Sequence, residues 1–256
     1  MKITLLPSGG DRLQTGPHQY LTSFLVNDSV AIDAGSLGFY KGPAEQAMIR
    51  HIFLSHSHLD HVGSLPIFLE NVVGLDAEPV TLHASQVVQK SLQMDLFNGR
   101  VWADFFKLTY ENKPFVSIRT IESGQVVEVE GLRITPVAVD HTVPTLGFII
   151  EDDDSAVVIA SDTGPTEEIW QRARKVAGLK AVFLEASFPD AMARQAEITK
   201  HLTPAWLVGE IRKLALPVTF FAVHMKARFR PQLTTELLAH RLPRLQIAEF
   251  GRTYEF

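Results

Sequence analysis

The sequence predicts a layered α/β protein with a mixed β-sheet, and two patterns support that prediction. Short apolar segments typical of strands alternate with segments of helical periodicity along the 256-residue chain. Some successive strands are joined only by a turn: Tyr20–Val26 and Val30–Asp33 flank Asn27-Asp28-Ser29, so they should pair as a hairpin. Hairpins beside helical crossovers indicate a mixed sheet rather than a purely parallel one.

The first half of the chain begins with a predicted strand, Ile3–Leu6, which the turn Pro7-Ser8-Gly9-Gly10 ends. Residues 9–19 should form a loop that contains His18. Further strands are predicted at Ile52–Leu54 and Val80–His83, and helices at Pro43–Met48, Val62–Glu70 and Ala84–Phe97.

The second half repeats the alternation of strands and helices. The predicted strands are Val116–Ile121, Val126–Val129, Leu132–Val139, Gly147–Ile150, Ala156–Ala160, Ala181–Leu184 and Val218–Val223. The predicted helices are Glu167–Arg174, Pro204–Leu214 and Thr235–His240.

Residues 98–115 hold an aromatic group whose role the sequence leaves open. Its members are Trp102, Phe105, Phe106, Tyr110 and Phe115. Packing in the core is favoured, because aromatic side chains carry much of the buried area of proteins. A ligand cleft or a contact in a homodimer is the alternative.

Composition limits the class of protein. Hydrophobic residues make up 46% and charged residues 21% of the chain, the balance of a folded protein. Because a chain of this length can bury one core, we expect a single domain over residues 1–256. The formal charge of −5 creates no basic field that would attract nucleic acid or an anionic membrane, so we expect neither as a partner.

The absence of cysteine excludes disulfides, thiolate metal sites and a cysteine nucleophile. The apolar stretch at the N-terminus is too short for a signal peptide, and no segment reaches the length of a membrane span. We therefore expect a cytoplasmic protein.

The most informative stretch is His56-Ser57-His58-Leu59-Asp60-His61, which follows the strand at Ile52–Leu54. Imidazole and carboxylate groups are ligands that zinc, manganese and iron accept. Side chains alternate along an extended loop, so His56 and His58 could face one ion while Asp60 and His61 face another. Three imidazoles and a carboxylate within six residues predict a metal site.

Ionisable residues also follow four other predicted strands, at the ends where catalytic groups often lie in layered α/β folds. These residues are His141, Asp162, Glu185 and His224. A lone histidine after a strand is more often a surface residue, but together with His56 these residues make five strand ends that each present an ionisable group. Asp33 ends a further strand and is a candidate to brace a ligand histidine.

The His-x-His-x-Asp-His spacing resembles the signature of the metallo-β-lactamase fold superfamily. The resemblance implies a four-layer αββα sandwich of two mixed sheets, with two divalent ions at one sheet edge. Zinc is the expected metal, with manganese or iron as alternatives. The implied ligands are His56, His58 and His141 for one ion, Asp60, His61 and His224 for the other, and Asp162 as the bridge.

Longer segments resemble one branch of that superfamily, the class II cyclic-nucleotide phosphodiesterases. These segments are His56–Leu65, His141–Phe148, Ser161–Gly164, Glu185–Pro189 and His201–Pro204. The resemblance implies hydrolysis of a small-molecule phosphodiester, the 3′,5′-cyclic phosphate of cAMP or cGMP, to the 5′-monophosphate. Lys200 and Ala227 depart from the pattern, because the family usually has glycine and proline there, and the chain from Arg228 onward matches poorly.

In the implied mechanism, a water shared by two ions is deprotonated near neutral pH, and the hydroxide attacks phosphorus. The candidate catalytic residues are Asp60 as an ion ligand, His201 as the proton donor to the leaving 3′-oxygen, and Glu185 as the group that orients His201. The candidate substrate contacts are Thr142, Lys226 and Arg228, which could equally be solvated surface.

Ribonuclease Z shares the implied ligand set and is the main alternative. It usually carries a long tRNA-gripping arm between the third histidine and the bridging aspartate. His141 and Asp162 are only 21 positions apart, enough for two strands and a turn, and the acidic charge also argues against RNA. Lactone or thioester hydrolysis and a metal-binding protein without catalysis are the remaining alternatives.

Overall fold

A computed structural model describes residues 1–8, 20–76 and 78–256 of the chain. The predicted loop with His18 therefore lies outside the described residues. The strands are β1 (Lys2–Leu5), β2 (Phe24–Val26), β3 (Val30–Ile32), β4 (His51–Phe53), β5 (Thr81–Ala84), β6 (Thr109–Tyr110), β7 (Lys113–Pro114), β8 (Ser117–Thr120), β9 (Val127–Val129), β10 (Leu132–Val139), β11 (Thr145–Glu151), β12 (Ala156–Ile159), β13 (Leu179–Glu185), β14 (Thr219–Val223), β15 (Leu245–Ile247) and β16 (Thr253–Glu255).

Eight α-helices occur in the described part of the chain. They are α1 (Pro43–Gln46), α2 (Leu59–Val62), α3 (Leu65–Val72), α4 (Gln86–Ser91), α5 (Glu168–Ala173), α6 (Ala193–Thr199), α7 (Pro204–Leu214) and α8 (Arg230–Ala239). None of the described helices has the length and apolar character needed to cross a membrane.

The strands form two seven-stranded sheets of matching design. The first has the order β16-β1-β2-β3-β4-β5-β8 and the second the order β15-β14-β13-β12-β11-β10-β9. In each sheet the described pairings from one edge to the middle are antiparallel and the rest are parallel. The prediction of mixed sheets is confirmed.

Three apolar cores hold the layers together. The sheets pack face to face, and Phe53 of β4 meets Phe148 of β11 there with their ring centroids 6.0 Å apart. Phe68 of α3 lies in a second core, between the first sheet and its helices. Trp170 of α5 lies in a third core, against the second sheet. The order of layers is helix, sheet, sheet, helix, as predicted.

Two predicted helices are interrupted. Val62–Glu70 is divided, because α2 ends at Val62 and α3 starts at Leu65 with Pro66 in its first turn. Proline lacks the N–H that a continuous helix would need, but it is tolerated in a first turn. The helix predicted at Ala84–Phe97 is α4 followed by a π-helical turn over Leu92–Leu96.

Other sequence predictions missed elements or placed them too far along the chain. Of the strand predicted at Tyr20–Val26, only β2 pairs in the sheet. Helix α8 begins at Arg230, before the predicted Thr235. The hairpin of β6 and β7, the helix α6 and the strands β15 and β16 were not predicted, since they are short and carry weak periodicity.

The aromatic group of residues 98–115 contributes mainly to packing. The ring of Phe105 is buried and stacks between Phe97 and Phe115, at centroid distances of 5.1 and 4.3 Å. Trp102 and Phe106 are partly buried against the second core. The favoured interpretation, core packing, therefore holds for these residues.

Candidate active site

The histidine motif lies where β4 leaves the first sheet. His56 and His58 lie outside any helix, and His58 has an extended backbone, whereas Asp60 and His61 belong to α2, which begins at Leu59. The prediction that all four residues alternate along an extended loop is therefore wrong for Asp60 and His61. A turn of helix, rather than strand alternation, positions their side chains, and the His61 ring lies beside that of His56 with a centroid distance of 4.2 Å.

Three strand ends of the second sheet bring the remaining predicted ligands to this motif. His141 follows β10, Asp162 lies shortly after β12, and His224 follows β14. Beside a three-residue group of Glu185, His201 and His224, the predicted ligands form two groups in which all ligand atoms lie within 4.8 Å of one another. These groups are His56, His58, His141 and Asp162, and Asp60, His61, Asp162 and His224. They match the two implied ligand sets, with Asp162 common to both.

The buried nitrogens of this site favour a bound cation. The Nε2 atoms of His56 and His61 are fully buried and have no hydrogen-bond partner. They lie 3.9 and 3.4 Å from the Asp162 carboxylate, close enough to share an ion with it. Burying polar atoms without partners is costly, and a divalent ion would satisfy them. Imidazole with carboxylate is also a donor set that zinc accepts.

Asp33 orients the histidine motif through a hydrogen bond to His61, as the sequence suggested. Its Oδ2 accepts hydrogen bonds from His61 Nδ1 at 2.7 Å and from Ser55 Oγ at 2.8 Å. Its Oδ1 accepts from the Ser55 backbone N–H at 2.8 Å. With Nδ1 of His61 engaged, Nε2 is the nitrogen that remains for a metal ion.

Two supports on the second-sheet side were missed by the sequence reasoning. His141 Nδ1 donates to the backbone carbonyl of Lys200 at 3.0 Å, and Ser187 Oγ lies 3.0 Å from His224 Nδ1. Ser187 lies two positions after Glu185, so alternation beyond the strand end could have placed both on one side. Nothing in the side chain of Lys200 could have predicted a role for its carbonyl.

Charges in the site hold the carboxylates ionised. Burial alone would raise the pKa of Asp162, but His224 and His61 lower it well below its usual range. Burial would also raise the pKa of Asp60, yet the hydrogen bond from His224 and the charge of His61 lower it. The pKa of His56 is lowered, chiefly by burial, which favours the neutral imidazole that binds metal.

Glu185 and His201 form a hydrogen-bonded pair beside the ligand groups. Glu185 is buried at the end of β13, and its Oε1 accepts from His201 Nδ1 at 2.6 Å. The backbone N–H groups of Thr163 and Leu202 also donate to this carboxylate, at 2.9 and 3.2 Å. Burial lowers the pKa of His201, but Glu185 more than offsets it and the pKa is raised.

The backbone around His201 is fixed by the start of α7. Thr203 caps this helix, since its side chain accepts from the Trp206 N–H, and Pro204 is the first helical residue. The imidazole centroid of His201 lies 5.0 Å from that of His141 and 5.6 Å from that of His224. His201 therefore reaches both ligand groups.

A surface cavity of about 190 Å³ opens beside the second ligand group. It is lined by Tyr20, Asp60, His224, Met225, Lys226 and Ala227. The Lys226 ammonium lies 5.2 Å from the centroid of the Phe188 ring. Of the predicted substrate contacts, Lys226 reaches this cavity. Thr142 is exposed beside His141, and Arg228 is exposed with its guanidinium over the Phe229 ring.

Residues 30–225 match the family described as Beta-lactamase superfamily domain. The chain belongs to the β-lactamase superfamily. The matched range begins at β3 and includes the ligands of both groups. Together with the four-layer architecture, this match confirms the predicted family and fold.

Relatives at lower similarity carry two kinds of name. A probable 3′,5′-cyclic-nucleotide phosphodiesterase of Yersinia pestis is 28% identical over 189 residues, which are 65% of this chain and 51% of the relative. The chain thus spans about half the length of that relative. A 3′,5′-cyclic-nucleotide phosphodiesterase of Aliivibrio fischeri is 28% identical, over 83% of this chain and 74% of the relative. Ribonuclease BN of Proteus mirabilis is also 28% identical, with 75% of each chain covered.

The fold resembles that of unliganded yeast PDE1. The two structures superpose with a TM-score of 0.77 over 98% of each chain, at 17% sequence identity. At this identity the likeness establishes the shared fold. Family, fold and named relatives together agree with the predicted metal-dependent hydrolase.

Proposed function

We propose that this protein is a metal-dependent phosphodiesterase that hydrolyses the 3′,5′-cyclic phosphodiester of cAMP or cGMP to the 5′-monophosphate. The observation that carries the proposal is the Glu185–His201 pair directly beside the two ligand groups. Phosphodiester hydrolysis needs charge neutralisation at phosphorus and a proton for the leaving oxygen, and this site offers a place for both. The names of the bacterial relatives support the cyclic-nucleotide class.

Seven side chains would hold two divalent ions. They are His56, His58 and His141 on one side, Asp60, His61 and His224 on the other, and Asp162 between them. When bound, the ions supply Lewis acidity toward the phosphoryl oxygens and make a water nucleophilic near neutral pH. Zinc is the proposed metal, with manganese or iron as alternatives, because this donor set suits all three.

His201 is the proposed proton donor. Because its Nδ1 donates to Glu185, Nε2 is the nitrogen that can face the substrate. Glu185 stabilises the imidazolium form, so a proton is held at Nε2 close to the ligand groups. That proton passes to the 3′-oxygen as the bond between this oxygen and phosphorus breaks, and Glu185 keeps the ring oriented.

Lys226 is the proposed contact for the phosphate. Lys226 lines the same cavity as Asp60 and His224, and the face of the Phe188 ring attracts its ammonium. Thr142 and Arg228 are proposed as outer contacts of the nucleotide. Three expectations stay predictions: a single domain over residues 1–256, a cytoplasmic location, and a homodimer as the alternative to a monomer.

A ribonuclease is the second candidate, supported by the name of the Proteus relative. Between His141 and Asp162 the chain forms only β11, β12 and their connections, which agrees with the predicted absence of an inserted arm there. The formal charge of −5 also provides little attraction for an RNA backbone. These two observations favour the small diester.

Hydrolysis assays on the purified protein test the proposal. Cyclic AMP, cyclic GMP, bis-p-nitrophenyl phosphate and a precursor tRNA are each incubated with the protein, with and without a chelator. We expect chelator-sensitive hydrolysis of at least one cyclic nucleotide to its 5′-monophosphate. Cleavage of the model diester but of neither cyclic nucleotide would remove the substrate assignment, and no chelator-sensitive cleavage of any of the four would remove the phosphodiesterase.

The role of His201 is tested separately. His201→Ala should retain the full metal content, because His201 belongs to neither four-residue ligand group. Its kcat should fall by roughly 10²- to 10⁴-fold, the usual contribution of a general acid. Metal content is measured by atomic emission alongside steady-state rates. Loss of metal from His201→Ala would instead make it a ligand.

A further inference from the structure

An exposed aromatic side chain stands at the mouth of the proposed site. Tyr20 is 66% exposed, although it lines the same cavity as Asp60 and His224. The other lining residues include the candidate ligands Asp60 and His224 and the cationic Lys226, together with Met225 and Ala227. The phenol ring of Tyr20 therefore shares this cavity with groups that are suited to an anion.

The backbone that carries Tyr20 is fixed, although the residue lies outside β2. The Tyr20 N–H donates to Ser8 Oγ at 2.9 Å, and the Leu21 N–H donates to the same oxygen at 3.1 Å. Two residues further, the Thr22 N–H donates to the carbonyl of Asp60 at 2.7 Å. The position of Tyr20 is thus tied to the metal-binding motif, which reduces the ordering that a ligand would have to impose.

We propose that the ring of Tyr20 is the platform on which the nucleobase of the substrate stacks. This inference rests on the proposed function for the identity of the substrate. A nucleotide places a flat base one ribose away from its phosphate. If Lys226 and the ligand groups hold the phosphate, the base can lie against the Tyr20 ring in the same cavity. Stacking accepts any base, so Tyr20 favours nucleotides over base-free diesters without separating cAMP from cGMP.

Equilibrium binding tests the stacking without relying on turnover. Adenosine 5′-monophosphate and ribose 5-phosphate are titrated into the metal-loaded protein by calorimetry. The wild-type protein should bind the nucleotide about tenfold more tightly, since stacking of one base contributes on that order. Tyr20→Ala should bring the two dissociation constants together by weakening the nucleotide alone, and Tyr20→Phe should keep the difference.

Tyr110→Ala is the matched control. Tyr110 is also exposed, but it lies in the β6–β7 hairpin beside Gly74, outside the cavity lining. This variant should bind both ligands as the wild type does. Equal affinities for the two ligands in the wild-type protein would overturn the proposal. Equal weakening of both ligands in Tyr20→Ala would also overturn it, because that result indicates a structural role.

Kinetics separate this inference from the proposed function. With cAMP, Tyr20→Ala should raise KM about tenfold and leave kcat within twofold, because stacking is equal in the ground and transition states. The base-free ribose 3′,5′-cyclic phosphate should show no change. Base-dependent binding without chelator-sensitive cleavage of any of the four phosphodiesters would keep the stacking and remove the phosphodiesterase. Hydrolysis with an unchanged KM would do the reverse.

Discussion

Two groups of histidines lie at opposite ends of the same strand and have different properties. At one end, His56 and His61 follow β4 and lie beside the buried carboxylate of Asp162. At the other end, His51 begins β4, and its Nδ1 lies 3.1 Å from Nε2 of His83 on β5. His51 and His56 are only five positions apart in the sequence.

The two groups differ in what the imidazoles contact. The His51–His83 pair is hydrogen-bonded within itself, and the His83 ring stacks on Phe53 at a centroid distance of 4.2 Å. The carboxylate that forms an ion pair with His51 is that of Glu130, whose Oε1 lies 3.8 Å from His51 Nε2. In the described part of the chain, no group of three metal-ligating side chains includes either residue. Convergent nitrogens and a shared carboxylate, rather than histidine content, distinguish a metal site.

Removing the shared carboxylate should have the largest effect. Asp162→Ala should lose most of the bound metal, since both proposed ligand groups contain this residue. Hydrolysis should fall by more than about a hundredfold, beyond the losses typical of residues that only support ligands. Metal content and kcat/KM are measured on one preparation.

His51→Ala is the control for Asp162→Ala, because it removes an imidazole from the other histidine group. It should keep the metal content and activity of the wild type. If Asp162→Ala kept both ions, or if His51→Ala lost one, the proposed distinction between the two groups would be wrong.

The His51–His83 pair should instead affect stability in acid. Burial, with smaller contributions from His51 and Arg119, lowers the pKa of His83 to about 4. In the unfolded chain the same imidazole titrates near 6.5, so between these values the unfolded state binds a proton that the folded state does not. Above pH 7, His83 therefore adds no pH dependence to the free energy of unfolding. As the pH falls through 6.5 toward 4, protonation of His83 in the unfolded state lowers that free energy.

Urea denaturation of the wild type and His83→Leu at pH 7 and pH 5 measures this effect. The wild type should lose up to about 2 kcal/mol more than the variant between these two values. Comparing the two proteins cancels the titration of the other histidines. A loss of equal size in both would mean that His83 is protonated in the folded state, like a solvent-exposed histidine.

The histidine motif at His56–His61 was predictable from sequence, because its four ligand side chains are close along the chain. The strand ends at His141, Asp162 and His224 were also predictable, since apolar runs ending in ionisable residues indicate where the sheet presents its side chains. The family resemblance was needed to assign these residues to two ions. Long-range assembly of this kind depends on the register of two sheets, which no local pattern specifies.

The features that the sequence did not predict are a short helical turn, an exposed side chain at the cavity and a backbone carbonyl. The α2 turn that redirects Asp60 is only four residues long, too short for a periodic signal. Tyr20 was assigned to a strand, because aromatic residues favour strands, although it lies before β2 at the cavity. Lys200 was noted only as a departure from glycine, yet its carbonyl accepts the hydrogen bond from His141.

Lys200 should show the smallest effect and refine the comparison between ligands and their supports. It ends α6 in the left-handed conformation, with φ of 51°, which glycine adopts without strain. Its ammonium pairs with the exposed carboxylate of Asp140 at 2.6 Å, a contact worth less than about 1 kcal/mol. Lys200→Gly and Lys200→Ala both remove this pair, but only glycine relieves the backbone.

We expect Lys200→Gly to be more stable than Lys200→Ala by about 1 kcal/mol and close to the wild type, as measured by urea denaturation. Both variants should keep metal content and kcat, because the group that holds His141 is a backbone carbonyl and not the lysine side chain. Loss of metal in both variants would show that the Asp140–Lys200 pair, rather than the carbonyl, positions His141. Loss in Lys200→Gly alone would show that the added backbone freedom of glycine displaces that carbonyl.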